Sequence, residues 1–164
     1  MKRARGFSLL ELMLVVSTIT LLVATAVPAY LDYMKRAKVS EGLWLVTPVK
    51  DAVASYYARW GTLPHDNAQA GLPPPEALRG AYVAAIEVKD GVVRIRYDGI
   101  KDFGTHDSLY FRPVFTKGVP ASPLGWICQN SATFAGTRET HEIRGELPAD
   151  QLVEEKFLAG ACRG

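Results

Sequence analysis

From Leu12 to Leu31 the chain runs twenty residues without an aspartate, glutamate, lysine, arginine or histidine. Only Glu11 separates this run from a further apolar stretch, Phe7–Leu10. At 1.5 Å rise per residue, a helix of that length reaches about 30 Å, the thickness of a bilayer's hydrocarbon core. A removable secretory signal has a shorter apolar region, roughly 7–15 residues, followed by a small-residue cleavage site. Val23-Ala24-Thr25-Ala26 imitates such a site, but the helical pattern continues through Ala37, which makes that reading the weaker one. Outside this segment the composition is ordinary. A chain of 164 residues with 48% apolar and 22% charged residues is neither disordered nor a multi-span membrane protein. Its length suits about one domain with a core of its own.

Charge is unevenly placed. The formal value is +2, but Lys2, Arg3 and Arg5 lie in the first five residues, and without residues 1–6 it becomes −1. Bulk electrostatics therefore give no case for nucleic-acid binding by the remainder. Basic residues flank both ends of the apolar run, with Lys35, Arg36 and Lys38 after it, so the positive-inside rule is tied. Cys128 and Cys162 have 33 residues between them and form no CxxC, which excludes a redox motif or zinc half-site. They read as one disulfide, which requires an oxidising compartment, or as two unpaired buried cysteines. If they pair, the C-terminal part is extracytoplasmic and the N-terminus is inside.

Glu11 does not fit a plain membrane anchor. A carboxylate at the edge of hydrocarbon costs about several kcal/mol unless neutralised or paired. Contact with headgroups is the bland explanation, and a functional role is the other. The basic leader Met1-Lys2-Arg3-Ala4-Arg5-Gly6, then Phe7-Ser8-Leu9-Leu10-Glu11, then the apolar run, resembles the class III signal of type IV prepilins. Pro28, with Tyr30 and Tyr33 after it, and a second helix-interior proline, Pro48, are similar to that family too. The resemblance implies that a prepilin peptidase cuts between Gly6 and Phe7 and N-methylates Phe7. It also implies that Glu11 pairs with an N-terminal amine during assembly. The precursor would sit in the inner membrane with its head in the periplasm, then join an extracellular pilus built by inner-membrane assembly machinery. Family functions are surface adhesion, twitching motility and DNA uptake.

Helical periodicity continues past the span. Val39, Leu43, Val46, Val49, Val53, Tyr56 and Trp60 follow steps of three and four, an amphipathic stripe that ends at Gly61. This stripe reads as a core face against a sheet rather than a ligand box. Pro28 and Pro48 each remove a backbone donor and should bend the helix. Residues 61–80, with Pro73-Pro74-Pro75, read as a loop. Tyr82–Val88 and Val93–Tyr97 alternate around Lys89-Asp90-Gly91, a hairpin signature. Leu109–Phe115 makes a third strand, with Pro113 suggesting a bulge or an edge, and Gly125–Cys128 ends a fourth.

The expected organisation is a leader, 1–6, a long helix, 7–60, with a transmembrane half, 7–31, and a globular head, 61–164. The head comprises a loop, 61–80, an antiparallel sheet, 82–128, and a loop, 128–162, closed by the disulfide. This is an α+β fold: a long helix on a four-stranded antiparallel sheet, the type IV pilin fold by resemblance. A strand ending in Trp126-Ile127-Cys128 and a second cysteine near the C-terminus are also that family's layout. The loop interior is rich in charge, including Arg138, Glu139, Glu142, Arg144 and Glu146, and departs from the family's shorter loops. Asp150–Leu158 suggests a short helix.

Catalytic patterns are missing from the sequence. His65, His106 and His141 have no metal-ligand spacing, and His106-Asp107-Ser108 is too contiguous to converge as a triad. No acidic cluster resembles the calcium site of secretion pseudopilins, so neither metal nor cofactor is expected. Arg94, Arg96 and Arg112 can form a basic stripe on an exposed sheet face, a candidate for phosphate contacts. Such stripes are more often solvated or paired with carboxylates of a neighbouring subunit. Ser122, Ser131 and Thr133 are available to glycosylation. The leading reading is a structural pilus subunit. The alternatives are a minor pilin whose head receives DNA or a surface, and a secretion-system pseudopilin. No residue constellation supports an enzyme.

Overall fold

The computed structural model describes residues 6–100, 103, 107–119, 122–129, 140–145, 147–148 and 151–162. Lys2, Arg3, Arg5, His106, Ser131, Thr133, Arg138, Glu139, Glu146 and Asp150 lie outside the described residues. The chain forms two compact units, Met1–Met34 and Lys35–Gly164. Helix α1, Leu9–Trp60, is one 52-residue element that contributes to both.

In the second unit α1 supplies one wall of the core. Val39, Gly42, Val46, Val49 and Val53 recur every three or four residues and are all buried. They meet one face of the sheet formed by β1 (Val83–Lys89), β2 (Val92–Tyr97), β3 (Ser108–Thr116) and β4 (Gly125–Cys128). The four strands are neighbours in chain order and antiparallel throughout. Cross-strand pairs Ile86–Ile95, Val88–Val93, Val93–Phe111 and Ile95–Leu109 fill the helix-facing side. The β1–β2 turn places both Asp90 (φ 48°) and Gly91 (φ 79°) in the left-handed region, the conformation that makes Asp-Gly a favoured hairpin pair.

The helix and sheet lock at Gly42. Tyr97 Oη donates to the carbonyl of Val39 at 2.8 Å in the buried core. A Cβ on Gly42 would run into that hydroxyl and press on Ile95. The glycine therefore costs helix propensity but lets a tyrosine ring lie against the helix. Burial, with the nearby Glu41 carboxylate, pushes the Tyr97 hydroxyl well above its ordinary range, so it remains a donor. Glu41 itself accepts from the amides of Ala81 (2.7 Å) and Tyr82 (2.8 Å), pinning the entry to β1.

The outer edge of β1 is covered by the preceding loop. Buried Asn67 donates to the carbonyls of Ile86 (3.0 Å) and Pro73 (3.1 Å) and accepts from Val88 N (2.6 Å). One side chain thus satisfies part of the strand edge that would otherwise template further pairing.

β3 is the hub of the sheet. A fifth strand, β5 (His141–Ile143), pairs with its C-terminal half, an addition to the four expected strands. Val114 faces Gly125 on one side and Ile143 on the other, so β5 lies along the same edge as β2. Pro113, expected at a bulge or an edge, sits in this central strand at the point where its partner changes from β2 to β5. Its carbonyl accepts from Arg144 N at 3.1 Å, and its missing N–H falls in the seam between the two partners. On the opposite edge, beyond β4, Ser108 N donates to Gln151 O (2.9 Å) and Val153 N to Ser108 O (3.0 Å).

That last pairing corrects the short helix expected over Asp150–Leu158. Leu152 forms a parallel bridge with Ser108, and only a 3₁₀ turn, Glu155–Phe157, follows. Val153, Phe157 and Leu158 are buried in the core. Strand pairing and core insertion outweigh a helix too short to nucleate by itself.

Gly42→Ala is expected to lower stability by about 1–3 kcal/mol, the range for overpacking a core. Tyr97→Phe removes the hydroxyl that the new methyl strikes, so the double variant should recover part of the loss. A double-mutant cycle by thermal denaturation of the full chain in detergent checks this, and additive losses would contradict the proposed clash.

Candidate functional site

At the N-terminal end, Gly6 and Phe7 precede the helix. Both are exposed, and Gly6 has no neighbour within contact of where a side chain would start. Ser8 caps α1: its hydroxyl accepts from Glu11 N at 3.2 Å, and its carbonyl accepts from Leu12 N at 3.1 Å. The cap separates the non-helical segment that holds the Gly6–Phe7 bond from the helix and places Glu11 in the first helical turn. Ser8-x-x-Glu11 has the spacing of a capping box, a signal of this cap that the sequence alone carries.

Large apolar side chains are exposed at Phe7 and all along this part of α1, from Leu9 and Leu10 through Leu21 and Leu22 to Tyr33. The helix is long and apolar enough to cross a membrane. Its few polar groups turn inward to the backbone: the hydroxyls of Ser17, Thr18 and Thr20 donate to the carbonyls of Met13, Leu14 and Val16, each at 2.8 Å. Thr25 donates to Leu22 O at 2.9 Å. These bonds let polar residues lie in a water-free environment. Pro28 and Pro48 both sit inside α1, which continues through them.

Cys128 and Cys162 are bonded, with Cα atoms 5.0 Å apart, and both are buried. The bond ties the end of β4 to a terminal 3₁₀ turn, Gly160–Cys162. With the bond formed, of the two readings of these cysteines the disulfide is the one that holds.

The arginine stripe is largely absorbed by its own chain. Arg94 donates to Ser108 Oγ (3.0 Å) and Gln151 Oε1 (3.1 Å), and its guanidinium lies 5.8 Å from the Tyr110 ring. Arg112 reaches the carbonyl of Gln129 at 2.9 Å. Arg96 is exposed. Burial raises the Tyr110 hydroxyl, while Arg94 and Ser108 draw it partly back. His65 pairs with Asp90, and His141 contacts Thr140 in a separate part of the head. Among the described residues no three His, Cys, Asp or Glu side chains gather.

Trp60 departs from the core stripe predicted for it. The stripe holds through Val53, but Trp60 is 64% exposed, and Trp44, on the outward face of the same helix, is 80% exposed.

A family model of pilin, a bacterial filament protein, matches residues 35–163. The type IV major pilin protein of Neisseria gonorrhoeae is 47% identical over 97% of this chain and 93% of its own length. The chain belongs to the type IV pilin family. A fimbrial protein of Neisseria meningitidis serogroup A is 45% identical, again over 97% of this chain and 94% of its own length. The crystal structure of a type IV pilin from Pseudomonas aeruginosa matches the fold with a TM-score of 0.55 at 20% identity, covering 79% of this chain and 97% of that one. Relatives named as major pilin and fimbrial proteins favour a structural pilus subunit over a minor pilin or a pseudopilin.

For this pilin, Cys162→Ser is expected to cost about 2–5 kcal/mol, the usual loss for a native bond in a small extracytoplasmic domain. Urea titration of the head signal in the full chain measures it. A midpoint unchanged from wild type would show that the bond contributes nothing to the fold.

Proposed function

We propose that this chain is the major structural subunit of a type IV pilus, made as a prepilin and cut between Gly6 and Phe7. The observation that carries the reading is the apolar helical half, exposed along its length, on a chain whose head has a sealed core of its own. Exposed apolar surface on that scale must be covered by lipid or by other protein. A filament whose subunits pack these helices together supplies the second cover after the membrane has supplied the first.

Each N-terminal residue has a part in this scheme. The basic leader stays on the cytoplasmic side, and glycine at position 6 suits a narrow peptidase cleft because it has no side chain. Cutting leaves Phe7 with an amine, N-methylated by the same enzyme and positive at neutral pH. A buried, unpaired ion is strongly destabilising. Glu11 is the only acidic residue between Phe7 and Leu31 and lies one helical turn from Phe7, so its carboxylate serves as the counter-charge. Pairing with the amine of an adjoining subunit would guide docking. Pro28, which cannot donate to the carbonyl of Ala24, makes the helix around it the weak point where the filament core loosens, and Pro48 is a second bend. The precursor sits in the inner membrane with its head in the periplasm, and the filament serves adhesion, twitching motility or DNA uptake. Its chemistry is mechanical, with no catalytic role for the chain.

Gly6→Val should leave the leader attached and confine the chain to the membrane fraction. Appearance of a chain beginning at Phe7 from this variant would overturn the cleavage assignment. Glu11→Leu should leave insertion and cleavage intact but reduce the sheared-filament pool severely. Wild-type filament yield from Glu11→Leu would remove the charge pairing from the mechanism.

A further inference from the structure

The last turns of α1 and the loop after it border an open cleft that lies outside the buried core. Its volume is about 460 Å³, within the range of small-molecule sites. Tyr56 and Trp60, one helical turn apart, form one wall with ring centroids 6.3 Å apart and planes inclined at 39°. Ser55 and Arg59 lie along the same wall, and Gln69 and Gly71 belong to the other.

The loop wall is built before any ligand arrives. Gln69 N donates to Asp66 Oδ1 (2.7 Å), Gly71 N to Ala68 O (3.0 Å) and Leu72 N to Asn67 O (2.8 Å). The Gln69 side-chain oxygen accepts from His65 N at 2.6 Å, which orients its amide and leaves the NH₂ group as donor. Asn67, which anchors this turn, is buried against β1.

From this geometry we infer that the cleft is a binding site for a glycan, which lays the apolar face of a pyranose ring on Trp60 and Tyr56. A sugar ring has one face of C–H groups and a rim of hydroxyls. The site answers both, with exposed aromatic faces flanked by a hydroxyl, an amide and a guanidinium. Charge selects among ligands. Arg59 is the only charged residue lining the cleft among the described residues, which suits a neutral or singly acidic sugar. A nucleic acid strand needs several cations along its track in addition to stacking rings. A purely apolar ligand would leave Ser55, Arg59 and Gln69 unused. The residues lining the cleft all belong to the second unit, and the test uses the full chain in micelles.

The test is saturation-transfer NMR on the purified full chain in a detergent without a sugar headgroup. The probes are N-acetyllactosamine, 3′-sialyllactose and an oligothymidine strand. Transfer to the ring protons of one or both sugars is expected. It should fall about tenfold or more in Trp60→Ala and in Tyr56→Ala, the loss usual for an aromatic anchor. Trp60→Phe keeps a stacking face and should retain binding. Trp44→Ala removes an exposed tryptophan elsewhere on the helix and should leave binding unchanged. Three results would overturn the inference: no transfer to either sugar at millimolar concentration, transfer unchanged in Trp60→Ala, or transfer to the oligothymidine alone. A Trp60→Ala variant that lost filament yield, when the wild type transferred to neither sugar, would assign the cleft to a neighbouring copy.

Discussion

Everything about this chain follows from the need to keep the first half of one helix out of water. Burial of apolar surface is the dominant favourable term in folding and association, and here the described residues provide no cover for it. The segment is compatible with two surroundings, lipid and a bundle of like helices. Its composition suits both. Hydroxyls that bond back to their own helix impose no demand on the environment, whereas a lone carboxylate at position 11 does. On the proposed reading, that contrast makes Glu11 the residue whose surroundings differ most between membrane and filament.

The head is stable by different means and asks nothing of the membrane. Its central strand has partners along both edges: β2 and then β5 on one, β4 and then the segment around Leu152 on the other. The return segment is held in turn by the Cys128–Cys162 bond. The same helix that is bare at its start becomes a core wall from Val39 onward, and Gly42 lets Tyr97 bond to it directly. A division of labour along one helix thus joins a self-contained surface domain to an assembly element.

Much of this was legible in the residues, and the exceptions have physical causes. The hairpin at Asp90-Gly91, the alternating strands and the valine stripe of α1 are local patterns, and local patterns are what sequence carries best. β5 escaped because three residues, His141-Glu142-Ile143, are too few to show a period and form a strand only because β3 has an open edge. The region before Phe157 looked helical because Leu152, Val153 and Phe157 fit a helical face, yet their tertiary partners were strand and core. Trp60 fits the periodic stripe but lies outside the buried core, and periodicity alone carries no sign of that exposure. The Ser8 cap was readable from spacing alone, while the Gly42–Tyr97 contact joins residues far apart in sequence and required the fold.

The central claim is that this chain is a processed filament subunit, and the intact mass of the protein in sheared surface filaments tests it most directly. The predicted species begins at Phe7, carries one added methyl group and is lighter by two hydrogens for the bonded cysteines. It should dominate the filament fraction. A dominant species that retains Met1, or filaments in which this chain is absent, would contradict the account.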